Sequence, residues 1–267
     1  MLDRLKKFFA SEPALQSASS GTVDFTLIDA SLSGWFNIGT GELLEGFPIL
    51  PEDRVLDIGC GDGAFTHFCA KMKAEVIYAD IDPARVAAVG LRLQDSGARA
   101  LHPLVTDGNP IPLPDAHVDK VVAMEVLEHV DSPTDFLNEL VRVGKPGALY
   151  LLTVPDAVGE RVQQKLAPPS YFEKPNHINI FGRDDFERLV AGAGLIIEKK
   201  SYYGFYWAVW WSFFWTCDQD FSPPWHPLLE SWARTWQLLL SLPDGARIKH
   251  ALDEVMPKSQ AIIARKP

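Results

Sequence analysis

The chain is short of basic residues and of cysteine. Its 267 residues include 25 Lys and Arg against 35 Asp and Glu, a formal net charge of -10. A protein that binds a phosphate backbone needs clustered positive charge, so this balance argues against a nucleic acid substrate or partner. The three cysteines are odd in number and scattered, without metal-ligand spacing. They fit a reducing compartment better than a disulfide framework, so we expect a cytoplasmic protein.

Convincing membrane spans are also missing. Residues 201 to 217 are uncharged, but these 17 residues include Gly, Ser, Thr and three Tyr, too few and too polar to cross a bilayer. Most of them belong to a segment, residues 204–256, that holds seven of the eight tryptophans and is predicted to be helical. So many aromatic residues are typical of a core, which we favour, or of a pocket for an apolar ligand. A peripheral contact with a membrane or a protein partner is the remaining interpretation.

Residues 51–203 alternate short β-branched runs with helical stretches. RVLDIG, EVIYAD, HVDKVVAM and GALYLLTV have the composition of strands, and amphipathic segments separate them. Such alternation is typical of a parallel sheet with helices on both faces. We therefore predict a doubly wound, Rossmann-like α/β core over residues 51–203, after an N-terminal helical cap over residues 1–50. The helical, Trp-rich insertion follows over 204–256, and residues 257–267 return to the core as its final strand.

The first predicted strand leads into a glycine turn with carboxylates around it. Gly59 and Gly61 follow the strand and precede a helix, an arrangement that lets a ligand approach the backbone and the helix N-terminus. The glycine spacing alone also fits a dinucleotide. Asp57 and Asp62 argue against it, because they would repel a pyrophosphate and attract a ligand that carries an ammonium and a sulfonium. The turn therefore predicts S-adenosylmethionine.

Two further aspartates end the next strands. Asp80 ends EVIYAD, seventeen residues after Gly63, where a carboxylate is placed to accept both hydroxyls of a ribose. Asp107 follows the third strand and is placed to accept a hydrogen bond from an adenine amino group. Each aspartate alone fits a solvated loop or a helix cap better. Three carboxylates at consecutive strand ends indicate a nucleoside site.

Four segments, VLDIGCGDG, IYADID, TDGNPIPLPDAHVD and MEVLEHV, resemble in this order the motifs of class I S-adenosylmethionine-dependent methyltransferases. Their small-molecule branch, with the ubiquinone-pathway type of O-methyltransferase, is the most similar, over roughly residues 50 to 200. The resemblance implies a seven-stranded sheet whose last strand is antiparallel. It also implies the cofactor-binding residues, which are Asp57, Gly59, Gly61, Asp80, Ile81, Asp107, Gly108 and Met124.

The segment MEVLEHV, after the fourth strand, carries the candidate catalytic residues. If it turns as a helix, Glu125, Glu128 and His129 share one face. His129 would then act as a general base oriented by a carboxylate such as Glu128, or the three side chains would bind a divalent ion, Mg²⁺ or Mn²⁺. The spacing is similar to the metal site of ubiquinone-pathway O-methyltransferases and of plant small-RNA 2′-O-methyltransferases. In the latter a later histidine completes the site, and His177 lies in a comparable place. As a third interpretation, these residues only cap the turn or line the pocket.

We therefore predict an enzyme that methylates an oxygen of a small, partly apolar or lipid-linked acceptor, such as a phenol or quinol precursor, a sugar or a glycan. Two other functions stay open. A nucleotide-dependent oxidoreductase would use the same glycine turn, although Asp57 and Asp62 disfavour it. A non-catalytic subunit would keep the fold and dock a partner through its Trp-rich surface. The predicted location is the cytoplasm, with peripheral membrane contact if the insertion meets lipid.

Overall fold

The computed structural model describes residues 25–217 and 219–267, so the first half of the predicted N-terminal cap lies outside the described residues. The elements in the first half of the chain are α1 (Phe25–Leu32), β1 (Trp35–Asn37), β2 (Glu42–Leu44), β3 (Phe47–Pro48), β4 (Arg54–Ile58), α2 (Ala64–Lys71), β5 (Glu75–Asp80), α3 (Pro83–Arg92), β6 (Ala100–Val105) and β7 (Val118–Met124). Those that follow are α4 (Pro133–Val143), β8 (Gly144–Pro155), α5 (Ala157–Leu166), a 3₁₀ turn (Pro169–Phe172), α6 (Arg183–Gly192), β9 (Ile196–Tyr203), α7 (Phe205–Thr216), α8 (Pro227–Ser241), α9 (Gly245–Val255) and β10 (Ser259–Arg265).

Seven of these strands form one sheet in the order β6-β5-β4-β7-β8-β10-β9. The pairs from β6 to β8 are parallel, and β10 is antiparallel to both of its neighbours. Successive residues of β4 pack on opposite faces, since Val55 belongs to one apolar cluster and Leu56 to the other. The predicted Rossmann-like fold, with a last strand antiparallel to the rest, is therefore confirmed.

Local sequence signals begin two of the helices that flank the sheet. The Asp82 carboxylate accepts the backbone N–H of Ala84 at the start of α3, at 2.8 Å. At the start of α4, Ser132 Oγ accepts the N–H of Asp135 at 3.4 Å. In each case a proline follows the capping residue and needs no N–H partner in the first helical turn.

Residues 25–50 differ from the helical cap that the sequence suggested. Among the described residues, α1 is followed by a small antiparallel sheet of β1, β2 and β3. Glycines with positive φ stand at the turns around these short strands: Gly34 (88°), Gly41 (73°) and Gly46 (94°). Such backbone favours tight turns and disfavours a continuous helix, which explains the difference.

The Trp-rich insertion forms the helices α7, α8 and α9 beside the sheet. Its aromatic side chains pack mainly on one another, around the buried residues Tyr206, Trp210, Phe214, Leu229 and Trp236. Trp236 Nε1 donates a hydrogen bond to Asp29 of α1 at 2.8 Å, which ties the insertion to the N-terminal helix. In the ranges that the structure describes, no helix has the length and apolar composition needed to cross a bilayer.

We expect Trp236→Ala to lower the free energy of unfolding by about 3 to 5 kcal/mol, because a nearly fully buried indole is lost and the Asp29 carboxylate loses a donor. Leu238→Ala, on the same helix with a side chain 68% exposed, should change it by no more than about 0.5 kcal/mol. Urea unfolding of both variants measures the difference. Equal effects would contradict the central place of Trp236 in this cluster.

Candidate functional site

The glycine turn after β4 is held in its shape by packing. A side chain at Gly59, where φ is +72°, would bring its Cβ to 2.4 Å from Val126 Cγ2. At Gly63, where φ is +85°, the same atom would lie 2.9 Å from Val89 Cγ1. Gly61 also has positive φ, but the nearest atom to a Cβ built there is 3.9 Å away. At Gly59 and Gly63 the turn therefore packs against the rest of the protein and leaves no room for a side chain, whereas at Gly61 it has room for a ligand.

Asp80, at the carboxyl end of β5, fixes the same turn from the neighbouring strand. Its Oδ2 accepts the N–H of Gly61 at 3.1 Å, and its Oδ1 accepts the N–H of Asp82 at 3.0 Å. Each oxygen keeps a second lone pair, which is what two ribose hydroxyls need. Ile81 follows with 70% of its surface exposed, so its side chain is accessible to a ligand at this edge of the sheet.

Asp57 lies beneath the turn rather than at its surface. Its carboxylate is buried and accepts a hydrogen bond from the Thr66 hydroxyl of α2. Burial, which outweighs this hydrogen bond, raises the pKa of Asp57 to about 7, and the charges of Asp80 and Asp62 add to the effect. Asp57 thus connects the strand with the helix below the predicted cofactor site.

The other predicted cofactor residues lie around the same carboxyl edge of the sheet. Asp107 is exposed and accepts the N–H of Asn109 at 3.1 Å. Gly108 has φ of +80° and packs so closely that a Cβ would lie 2.3 Å from Phe136 Cε2. Met124 is nearly buried at the end of β7. The structure therefore brings all eight residues to the ends of strands β4 to β7, while their roles toward a cofactor stay predictions.

A second cluster lies just after β7. One ligand atom each from Glu128, His129 and His177 lies within 4.8 Å of the other two. The Glu128 side chain is fully buried, and within the described residues its oxygens accept no hydrogen bond from another residue. Burial, and then the charge of Glu125, hold the pKa of Glu128 well above its usual range. Burial and His177 together lower the pKa of His129 to about 4.

Both imidazoles in this cluster are held by acceptors. His129 Nδ1 is 3.2 Å from the carbonyl oxygen of Pro175, and its Nε2 is 3.7 Å from Glu128 Oε1. His177 Nδ1 is 2.9 Å from Glu160 Oε2, and both of those side chains are buried. These contacts fix the orientation of both rings beside Glu128.

Glu125 does not join this cluster, contrary to the expectation that it shares a helical face with Glu128 and His129. The chain bends at Glu125, where φ is +52°, and makes a turn over residues 127–129 instead of a helix. Its Oε2 accepts hydrogen bonds from Lys258 Nζ at 2.6 Å and Ser259 Oγ at 3.1 Å. Thr153 Oγ1 donates to the other oxygen at 2.9 Å. The two glutamates of the motif therefore face different partners.

A loop after α5 brings His177 to this turn. The backbone N–H groups of Ile178 and Asn179 both donate to the carbonyl oxygen of Glu128, at 2.9 and 3.1 Å. The Asn179 side chain donates to Val130 O at 2.7 Å. His177 was predicted from the sequence to lie near the cluster, whereas Asn179, Glu160 and Lys258 were not. No local pattern marks these residues, because each acts on a segment far away in the sequence.

The pKa of Asp57 gives a test of this geometry through stability. A carboxyl group that titrates near 7 when folded and near 3.8 when unfolded keeps its proton in the native state, so stability falls as pH rises between these values. Between pH 5 and pH 7 we expect the ionisation of Asp57 to lower the free energy of unfolding by about 2 to 3 kcal/mol. Asp57→Asn should abolish this part of the pH dependence. Urea unfolding of both proteins at the two pH values measures it. Identical pH dependence in the variant would contradict a buried, protonated Asp57.

Known proteins match the chain in sequence and in fold. The model of the methyltransferase domain matches residues 56–152. A ubiquinone biosynthesis O-methyltransferase of Azoarcus sp. is 31% identical over 169 residues, which cover 57% of this chain and 71% of that protein. A protein of Mycolicibacterium smegmatis, with the description of an S-adenosylmethionine-dependent methyltransferase, is 38% identical over 108 residues, 39% of this chain. The chain spans about two fifths of the length of that relative, 38%.

Among solved structures, geranyl diphosphate methyltransferase in complex with S-adenosylmethionine superposes with a TM-score of 0.59 at 15% identity. The match covers 95% of this chain and 94% of that one, and at this identity it shows the fold alone. The sheet order, the glycine turn and the Azoarcus relative agree with one another. The chain belongs to the class I S-adenosylmethionine-dependent methyltransferases.

Proposed function

We propose that the chain transfers a methyl group from S-adenosylmethionine to an oxygen of a small, partly apolar or lipid-linked acceptor, such as a phenol or quinol precursor, a sugar or a glycan. The observation that carries this proposal is the cluster of Glu128, His129 and His177, which lies just after β7 and its last residue Met124. Methyl transfer needs an aligned nucleophile, and a hydroxyl must also lose its proton. The Azoarcus relative's description as an O-methyltransferase agrees with this choice.

A divalent ion suits the cluster better than His129 acting alone as a base. With its pKa lowered to about 4, the His129 imidazole is a weak proton acceptor at neutral pH. The buried Glu128 carboxyl group, in contrast, accepts no hydrogen bond from the described residues, and burial holds its pKa well above the usual range. Glu128, His129 and His177 would hold the ion, which when bound would lower the pKa of the acceptor hydroxyl.

The surroundings of the cluster favour an acceptor with an aromatic or otherwise apolar part. The Tyr171 ring lies 4.6 Å from the His177 ring and 5.2 Å from the Trp215 ring of α7. A cavity of about 10 Å³, room for about one water molecule, lies beside them, with Trp211, Gln163 and Lys258 in its wall. A pocket for a small-molecule ligand has a volume of roughly 300 Å³ or more, so this cavity does not itself hold an acceptor. Support for a partly apolar acceptor therefore comes only from the aromatic rings beside the cluster.

The binding of the methyl donor is tested at Asp80. Because this carboxylate faces the predicted ribose position and fixes Gly61, Asp80→Ala should weaken S-adenosylmethionine binding by about 1 to 3 kcal/mol, or roughly 5-fold to 150-fold. Asp95→Ala removes the same charge from an exposed loop position and serves as the control. Calorimetric titration measures both. Unchanged affinity in Asp80→Ala would contradict the assigned ribose site.

The transfer itself is tested with labelled donor and a panel of phenols, quinol precursors, sugars and lipid-linked glycans, with and without divalent ions. We expect the labelled methyl group to be transferred to an oxygen of one of these acceptors. In His129→Ala, turnover should fall by about 100-fold or more. Donor affinity should change by less than about 2-fold, because His129 acts on the acceptor. His250→Ala, at an exposed position on α9, is the matched control. Normal turnover in His129→Ala would remove this residue from the proposed site.

A further inference from the structure

Two consecutive residues of β1 place their rings on the same neighbour. In a strand of ordinary geometry, the side chains of Trp35 and Phe36 would point to opposite faces. Instead, the centroid of each ring lies 5.6 Å from that of Phe65, and the Phe36 and Phe65 rings are stacked with their planes 18° apart. The backbone of Phe36 accounts for this arrangement, because its φ is +57°. Both rings therefore contact one side chain of α2.

The left-handed backbone at Phe36 is unfavourable for this type of residue. Glycine adopts positive φ readily, whereas a bulky side chain in this region is strained. In the part of the chain that the structure describes, the other non-glycine residues with positive φ are Lys73, Ala116 and Glu125, so Phe36 alone is aromatic. Such strain persists only where surrounding contacts hold it, and it is frequent at sites that bind ligands.

Trp35 is held in place by aromatic contacts rather than by a hydrogen bond. Its side chain is buried, and its indole N–H has no acceptor among the described residues. A buried donor without an acceptor is unfavourable. The ring contacts Phe65 on α2 and Tyr203 at the end of β9, whose centroid is 5.2 Å away. Two unfavourable features thus occur in adjacent residues, and both are maintained by packing on the same aromatic group.

Phe65 lies at the start of the helix that follows the glycine turn. It is the second residue of α2, two positions after Gly63, and the next residue, Thr66, donates its hydroxyl hydrogen to Asp57. The N-cap residue of α2 is Gly63, which has no side chain to accept an N–H group of the first helical turn. The contacts of Phe65 with the two rings of β1 therefore restrain a helix start that lacks a side-chain cap.

We propose that Phe36 is a positioning residue for S-adenosylmethionine and that it acts through Phe65. Its left-handed backbone holds both rings of β1 against Phe65, and these contacts keep the start of α2 and the glycine turn in the geometry that the donor needs. A turn that already has its binding conformation binds a ligand more tightly, because less ordering takes place on binding. This inference rests on the proposed function, since it concerns the binding of the methyl donor.

The test is calorimetric titration of S-adenosylmethionine into the full chain and its Phe36 variants. Phe36→Gly removes the ring and introduces a residue that adopts positive φ without strain. We expect it to weaken donor binding by about 10-fold or more. Phe36→Tyr keeps the ring and should retain the affinity within about 3-fold.

Urea unfolding separates this role from a general loss of packing. Because relief of backbone strain offsets part of the lost packing, the urea midpoint of Phe36→Gly should fall less than that of Phe186→Leu, which alters a fully buried ring on α6. Phe186→Leu should nevertheless change donor affinity by less than about 3-fold. Lys73→Gly, which relieves positive φ at an exposed position just beyond the other end of α2, should also leave donor affinity within about 3-fold.

A double variant tests whether the effect of Phe36 passes through Phe65. Phe65→Leu alone should weaken donor binding, and Phe36→Gly with Phe65→Leu should bind within about 2-fold of the weaker single variant, because both changes remove the same contact. If the two losses multiply, or if donor affinity follows the urea midpoint across Phe36→Gly and Phe186→Leu, the inference is wrong. If Phe36→Gly binds the donor as the unaltered chain does, the inference fails and methyl transfer stands. If the unaltered chain binds no S-adenosylmethionine, the proposed function fails and the inference fails with it.

Discussion

A fully buried carboxylate at Glu128 is the constraint on which the arrangement of the second cluster depends. Burial holds the pKa of Glu128 well above its usual range, and a buried polar group without a hydrogen-bond partner among the described residues is costly, so it persists only where the surrounding structure holds it in place. Here the restraint comes from the backbone: the N–H groups of Ile178 and Asn179 both bind the carbonyl oxygen of Glu128. The same two bonds bring the adjacent His177 within 4.8 Å of the Glu128 carboxyl group. One short loop therefore both fixes Glu128 and supplies a side chain near it.

The Trp-rich insertion belongs to this arrangement and is not a separate module. Gln163 of α5, one turn after Glu160, directs its Nε2 to Ser212 Oγ of α7 at 3.4 Å. The Trp215 ring of α7 contacts Tyr171, which in turn contacts His177. Edge-to-face and tilted contacts of this kind each contribute about 0.5 to 1.5 kcal/mol beyond the burial of area. The aromatic helix thus stabilises the helix and the loop that position Glu160 and His177.

The sequence predicted the parts of the molecule that depend on local pattern. The alternation of strands and helices and the glycine turn after β4 follow from neighbouring residues, and the structure has them as expected. The caps at Asp82 and Ser132 also arise from local sequence. The position of Glu125 was not predicted correctly, because the prediction assumed a helix where the chain makes a turn. Its partner Lys258 is 133 residues away, and the contact arises only when β10 pairs with β8 and β9. Long-range pairing of this kind leaves no periodic signal near either residue.

The residues of the proposed site are divided between the part of the chain that matches the methyltransferase domain and the part that follows it. Residues 56–152, which match the methyltransferase domain, contain the glycine turn, Asp80, Glu128 and His129. Three other residues lie beyond this range: Glu160 on α5, His177 on the loop after it, and Lys258 just before the last strand. The matched part therefore carries the residues assigned to the donor, and the later part supplies the groups that compensate or expose charge in the cluster.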